Sequence, residues 1–391
     1  MKQFEQSDAI KRLPEQFFAK LAGKVNQFKE AGHDIINLGQ GNPDQPTPEH
    51  IIQSLQSAAE KPEFHKYPPF RGQPFLKQAV ADYYKREFDV TVDPEQEVAV
   101  LFGGKAGLVE VSQCLLNKGD KALMPDPGYP DYWSGVAMAE AEMHPMPLLD
   151  ENDFLPDYDA ISEEDFEKAK LMFLNYPNNP TGAQATESFF KDTIKLANQH
   201  DFCVVHDFAY GAIGFDGNRP ISFLEVEGAK DVGVEIYTMS KTFNMAGWRV
   251  GFAIGNRSVI ESINLLQDHL YVSLFSGIQE AAAEALLGSQ KCVEELAQTY
   301  ERRRSVLIEG LRGIGWDVKA PAGSFFSWLK VPDSFTSEEF ADYLLEEAKV
   351  VVAPGNGFGE YGEGYVRAGL NTSEARLIEA VHRIEKLDMF G

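Results

Sequence analysis

Hydrophobic positions along the middle of the chain fall into two alternating patterns. Short apolar runs, EVAVLF, KALMP, AKLMFLNY, FCVVHDF, VEIYTM and VGFAIG, are separated by longer stretches. In several of these, such as ESFFKDTIKLANQH, apolar residues recur at three- and four-residue spacing. The first pattern predicts strands and the second predicts amphipathic helices. This βα alternation predicts a mostly parallel sheet covered by helices. A further helical pattern runs from Ser258 to Leu287, with a break expected near Ser273–Gly277.

After about residue 290 the grain changes. A charged helix, VEELAQTYERRRSVLIEGLRGIG, precedes the strand candidates WDVKA and SFFSWLKV. The acidic helix SEEFADYLLEEAK follows, then VVVAP, GYVRAGL and a last helix beginning near Asn371. Asn371 with Glu374 has the spacing of a capping box. This is an α+β unit, expected to form a second, smaller domain. The first ~45 residues hold one helix and a Gly/Pro-rich segment, too little for a domain alone, and are expected to pack with it. The expected division is a large domain over 46–285 and a small one built from 1–45 with 286–391.

The chain has 391 residues, 60 acidic against 36 basic, and a formal charge of -24. That imbalance argues against nucleic acid or anionic membrane as a partner, since both need a basic surface. Acid-rich stretches at Glu163–Glu167 and Glu338–Glu347 sit on predicted helices and read as solvated faces. The first residues lack the apolar stretch of a signal peptide, and no run approaches the ~18 apolar residues of a membrane span. Three scattered cysteines, Cys114, Cys203 and Cys292, read as thiols in a reducing compartment. Scattered histidines without paired spacing argue against a metal site. The expectation is a cytoplasmic α/β enzyme.

In an open parallel sheet, ligands bind beyond the carboxyl ends of the strands. After EVAVLF come Gly103, Gly104 and Lys105, opening a helix: an anion cradle or a plain glycine turn. After KALMP, Tyr129 and Tyr132 offer an aromatic face or simple loop packing. After AKLMFLNY, the stiff turn PNNPTG mounts Asn179. After FCVV stand His206, Asp207 and Tyr210; a buried Asp207 needs a cationic partner, and His206 reads as structural. After VEIYTM stand Lys241 and, eight residues on, Arg249. A lysine at an apolar strand end is costly unless it is functional, and desolvation makes it a candidate nucleophile. Together these groups suit a planar, phosphorylated, aldehyde-bearing pyridinium.

NYPNNPTG, HDFAYGAI and SKTFNMAGWRVG, in that order and spacing, resemble the signature segments of the pyridoxal-phosphate aminotransferases, class I/II, fold type I. The resemblance covers essentially the whole chain. It implies a large domain with a mostly parallel seven-stranded sheet between helices, and a small α+β domain. It implies a homodimer with shared active sites and pyridoxal 5'-phosphate as cofactor. Lys241 would bond the cofactor aldehyde and then move the substrate's α-proton. Asp207 would pair with the pyridinium nitrogen, Tyr210 and Asn179 with the ring 3-oxygen, and Tyr129 would stack on the ring. Gly103, Gly104, Lys105, Thr238 and Arg249 would hold the phosphate, with Tyr67 of KYPPFRG reaching in from the neighbouring chain. Arg367 of GYVRAGL would clamp the substrate carboxylate beside Gly41 and Asn179.

The segment DHLYVSLFSG holds no arginine where aspartate-specific members use one. Tyr67, Phe70, Tyr132, Tyr271 and Phe275 instead suggest an apolar or adaptable side-chain pocket. INLGQGNPDQPTPEH and VLFGGKAGLVE resemble, within the family, the methionine-salvage branch, which takes 2-oxo-4-methylthiobutanoate with glutamine as donor. Branches acting on aromatic amino acids or kynurenine, aspartate or LL-diaminopimelate stay open, as does a β-lyase on cysteine-like substrates. A regulator built on this fold would need an added DNA-binding domain, for which there is no room before INLGQG.

Overall fold

A computed structural model describes residues 1–14 and 17–390. Its strands are β1 Ile36–Asn37, β2 Val98–Leu101, β3 Lys121–Asp126, β4 Glu142–Pro147, β5 Ala169–Asn175 and β6 Cys203–Asp207. They continue with β7 Gly233–Thr238, β8 Gly251–Gly255, β9 Phe326–Lys330, β10 Val350–Val351, β11 Ala353–Pro354 and β12 Tyr365–Gly369. Seven of them form one sheet in the order β2-β8-β7-β6-β5-β3-β4. Only β8 runs antiparallel to its neighbours; the other pairs are parallel. The chain is therefore α/β, with the mostly parallel seven-stranded sheet expected.

The apolar runs form strands because both faces of the sheet are covered. Along β2, Val98 and Val100 enter one buried cluster and Ala99 and Leu101 enter the other. The same alternation places Met172 and Leu174 of β5 on one side and Leu171 and Phe173 on the other. The edge strand β4 is absent from the sequence reading for a physical reason. Its sequence EMHPMP carries two prolines, which an edge tolerates and a central strand does not. The expected helix break is present: helices Arg257–Leu270 and Ser276–Leu287 are separate.

A three-stranded antiparallel sheet, β11-β12-β9, lies apart from the large one, and β1 pairs in parallel with β10. Residues of β1, β9, β10 and β12 share a buried cluster with helices Lys291–Gly313 and Glu374–Glu385. Two expectations are corrected here. WDVKA is not a strand; Trp316 and Val318 are buried in irregular chain, and the Trp316 indole N–H donates to the Lys330 carbonyl at 2.8 Å. Asn371 does not cap the last helix; Ser373 does, accepting from the Arg376 N–H. The Asn371 amide is used elsewhere, donating to the carbonyls of Gln40 (3.1 Å) and Asn42 (2.7 Å). Among the described residues no helix is long and apolar enough to cross a membrane.

Candidate active site

Strands β2, β3, β5, β6 and β7 end on the same side, and the segments that follow them converge. Together with residues 18, 41–42, 326 and 367 they line a cavity of about 450 Å³. Gly41, Gly104, Lys105, Tyr129, Asn179, Asp207, Tyr210, Thr238, Lys241, Arg249 and Arg367 all reach it. Gly103 stands just behind, at φ 84° as the N-cap of helix Gly104–Leu115. Another residue there would be strained at that φ, and its Cβ, 2.5 Å from Arg249 Nη2, would force the guanidinium aside. The glycine thus lets a guanidinium lie against a helix N-terminus whose first N–H groups have no partner within the helix. Thr238, across the cavity, caps the short helix Met239–Thr242 and brings its hydroxyl to the same end. Lys105 Nζ turns to Asp131, 2.8 Å away, which leaves the Lys105 backbone as its contribution. An amide cradle, a hydroxyl and a guanidinium make a site for a phosphate dianion.

Lys241 Nζ donates to the Gly41 carbonyl at 2.8 Å. Burial, helped by the positive charge of Arg367, brings its pKa down to about 8. Asp207 shifts the other way, up to about 6, again because burial disfavours the charged form. Two donors oppose that shift: the Tyr132 hydroxyl, 2.8 Å from Oδ2, and the Ala209 N–H. No arginine is needed to hold this carboxylate. His206, beside it in the chain, is buried and bonded to Glu235 through Nδ1 at 2.8 Å, a structural histidine as expected.

Arg367 is only 1% exposed, and burial lowers its pKa to about 9, so it stays charged at neutral pH. Nη1 donates to Asn179 Oδ1 (2.8 Å) and Nη2 to the Gly39 carbonyl (2.9 Å), while buried Nε has no partner among the described residues. The Phe326 ring lies 3.9 Å from the guanidinium carbon, Phe358 at 4.7 Å and Phe18 at 5.2 Å. A desolvated cation with an unpaired N–H is a receptor for a carboxylate. The Tyr210 phenol is also buried, its ring edge-on to Phe325 and Phe326.

Some expected residues lie elsewhere. Tyr67 is 89% exposed and outside its own chain's cavity. Phe70 and Phe275 are exposed, Tyr271 bonds Glu110, and Tyr132 is wholly buried beneath Asp207. None of these four lines the cavity. Its aromatic wall comes instead from Tyr129, Phe18 and Phe326. No alternation singles out Phe326, because Phe325 and every residue of β9 except Lys330 are buried. No local signal marks Phe18.

The sequence pattern of the class I and II aminotransferases matches residues 33–384. An L-glutamine--4-(methylsulfanyl)-2-oxobutanoate aminotransferase of Bacillus subtilis is 66% identical over 99% of this chain and 97% of its own. Transaminase BacF of the same organism is 52% identical over 98% of this chain and 97% of its own. The substrate-bound BacF structure superposes with a TM-score of 0.95 at 50% identity, covering 100% of this chain and 99% of that one. Fold and matches together define a fold type I transferase dependent on pyridoxal phosphate. More narrowly, the chain belongs to the class I and II aminotransferase family and is an aminotransferase, exchanging an amino group between an amino acid and a 2-oxo acid.

Proposed function

We propose that this enzyme transfers the amino group of glutamine to 4-(methylsulfanyl)-2-oxobutanoate, forming methionine. The observation that carries the reading is the 66% identity, across nearly the full length of both chains, to the aminotransferase of that name. The cavity supports it. Phe18, Phe326, Tyr129 and Leu108 offer an apolar wall for a thioether chain, and Asn42 offers an amide. Among the described lining residues the cations are Lys105, Lys241, Arg249 and Arg367. Lys105 is paired, Arg249 faces the cradle and Arg367 suits the α-carboxylate, so none is left for a distal carboxylate. Steady-state assays with glutamine and a panel of 2-oxo acids test this. The methylthio acid should exceed oxaloacetate in kcat/KM by about 10²-fold or more. Preference for oxaloacetate would overturn the assignment.

Bound pyridoxal phosphate supplies an aldehyde that accepts the amino group and a protonated ring that draws electron density from the substrate's Cα. In this reading Gly103, Gly104, Lys105, Thr238 and Arg249 would grip its phosphate, and the Tyr129 ring would stack on it. Asp207 would hold the proton on the ring nitrogen, and Tyr210 with Asn179 Nδ2 would donate to the 3-oxygen. Asn179 serves both halves of the site, since its Oδ1 fixes Arg367. Arg367, assisted by Gly41, orients the substrate by its carboxylate. Lys241 Nζ would lift the proton from the substrate's Cα and deliver it to the carbon that carried the cofactor's aldehyde. A pKa of about 8 lets that amine hold or release a proton near neutrality.

We further assign the chain to the cytoplasm and to a homodimer. Tyr67, exposed on its own chain, would complete the partner's phosphate site. An active monomer in sedimentation velocity would remove that role. We also propose a large domain over 46–285 and a small one built from 1–45 with 286–391.

A further inference from the structure

The strand that leads to Tyr129 ends on Asp126, a carboxylate without a cation partner among the described residues. Its oxygens instead accept two backbone N–H groups from the turn before β12: Glu360 to Oδ2 at 3.1 Å and Tyr361 to Oδ1 at 3.0 Å. Two residues on, the Gly128 N–H donates to the Phe358 carbonyl at 2.8 Å. Gly359, between these contacts, has φ 138°, and a Cβ there would lie 2.0 Å from Asp126 Oδ1. Any side chain at 359 would push the two segments apart.

The turn held this way carries Phe358, which is fully buried. Its ring packs 4.7 Å from the Arg367 guanidinium and edge-on to Phe18, which lines the cavity. Arg367 itself lies on β12, after the turn, and among the described residues its five donors meet two hydrogen-bond partners. Aromatic packing therefore does much of the work of fixing its orientation. A guanidinium must present two parallel N–H bonds to grip a carboxylate, so a small tilt costs affinity.

We propose that Asp126 is a positioning residue for substrate recognition: by pinning the 358–361 turn, it holds Phe358 against Arg367 and keeps the guanidinium aimed at the substrate carboxylate. The proposal rests on Arg367 being the carboxylate receptor. Asparagine at 126 keeps the shape but can accept through only one atom, leaving one backbone N–H facing an NH₂ group.

The test uses the holoenzyme in single-turnover titrations followed by visible absorption. The ligands are the amino acid formed from the best 2-oxo acid of the panel above and the amine that lacks its carboxylate. Asp126→Asn should raise the Kd of the amino acid about tenfold, with the maximal rate and the amine Kd essentially unchanged. Phe358→Leu should give the same selective loss. The double variant should be no weaker than the worse single, since both act through one contact. Asp126→Ser stands in if Asp126→Asn does not fold. An unchanged amino-acid Kd, an equal loss for the amine, or additive losses would each overturn the proposal. Arg367→Lys is the separate control: if it does not erase the preference for the amino acid over the amine, the receptor assignment itself fails.

Discussion

Replacing Lys241 with alanine is expected to lower turnover by about 10⁶-fold, the scale of removing a covalent nucleophile. Lys241 is the lysine at the cavity floor, its Nζ 2.8 Å from the Gly41 carbonyl at the edge of the carboxylate subsite. The fold should survive, and the sign of the pKa shift says why. Burial lowers the group's pKa from 10.5 to about 8, so between those values the native chain binds fewer protons than the unfolded one. Native stability then rises with pH across that window, and below it the buried ammonium is a burden. The cofactor-free Lys241→Ala chain should therefore melt no lower than the parent at pH 7. In the parent, capture of added pyridoxal phosphate should speed up about tenfold from pH 7 to pH 9, following the neutral amine. Stopped-flow absorbance reads both effects. A variant that still turns over, or capture independent of pH, would remove Lys241 from its role.

Asp207→Asn is expected to cost about 10²–10³-fold in the rate of the amino-acid half-reaction, the scale of breaking a buried ion pair. Asparagine preserves volume and can still accept from the Tyr132 hydroxyl, 2.8 Å from Oδ2 in the parent, through its one oxygen. What it loses is the negative charge that would hold a proton on the ring nitrogen. Without cofactor, burial raises the Asp207 pKa to about 6. A cationic ring nitrogen would lower it again, so cofactor retention should weaken as pH falls below about 6. In the asparagine variant that pH dependence should vanish. Cofactor dissociation followed by absorbance and rapid-mixing kinetics test the two halves. A rate within about threefold of the parent would show that the ring proton is held by another group.

Both residues were legible in the sequence because strand ends gather chemistry and a lysine or aspartate closing an apolar run is conspicuous. Asn179 was legible from its stiff turn. Arg367 was not, except through family resemblance: one arginine in GYVRAGL looks like any other until the fold buries it. The partners of these groups were hidden for a different reason. Tyr132 meets Asp207 across 75 residues, and Phe18 meets Arg367 from the opposite end of the chain. No local pattern encodes such packing. WDVKA misled because its alternation records burial, which irregular chain against a core also produces. Asn371 misled because a capping side chain and a loop clamp need the same amide.

The pairing of β1 with β10 has a consequence for how the enzyme comes into being. Gly39 meets Arg367 across 328 residues of sequence, whereas the strands bearing the phosphate cradle, Asp207 and Lys241 all lie between Val98 and Gly255. Chains emerge from the ribosome N-terminus first, at about 5–20 residues per second. The seven-stranded sheet is thus complete as sequence well before the arginine of β12 exists. A nascent chain acquires the means to hold its cofactor before it can hold a substrate, and the early segment 36–44 must wait, unpaired, for the last hundred residues to arrive.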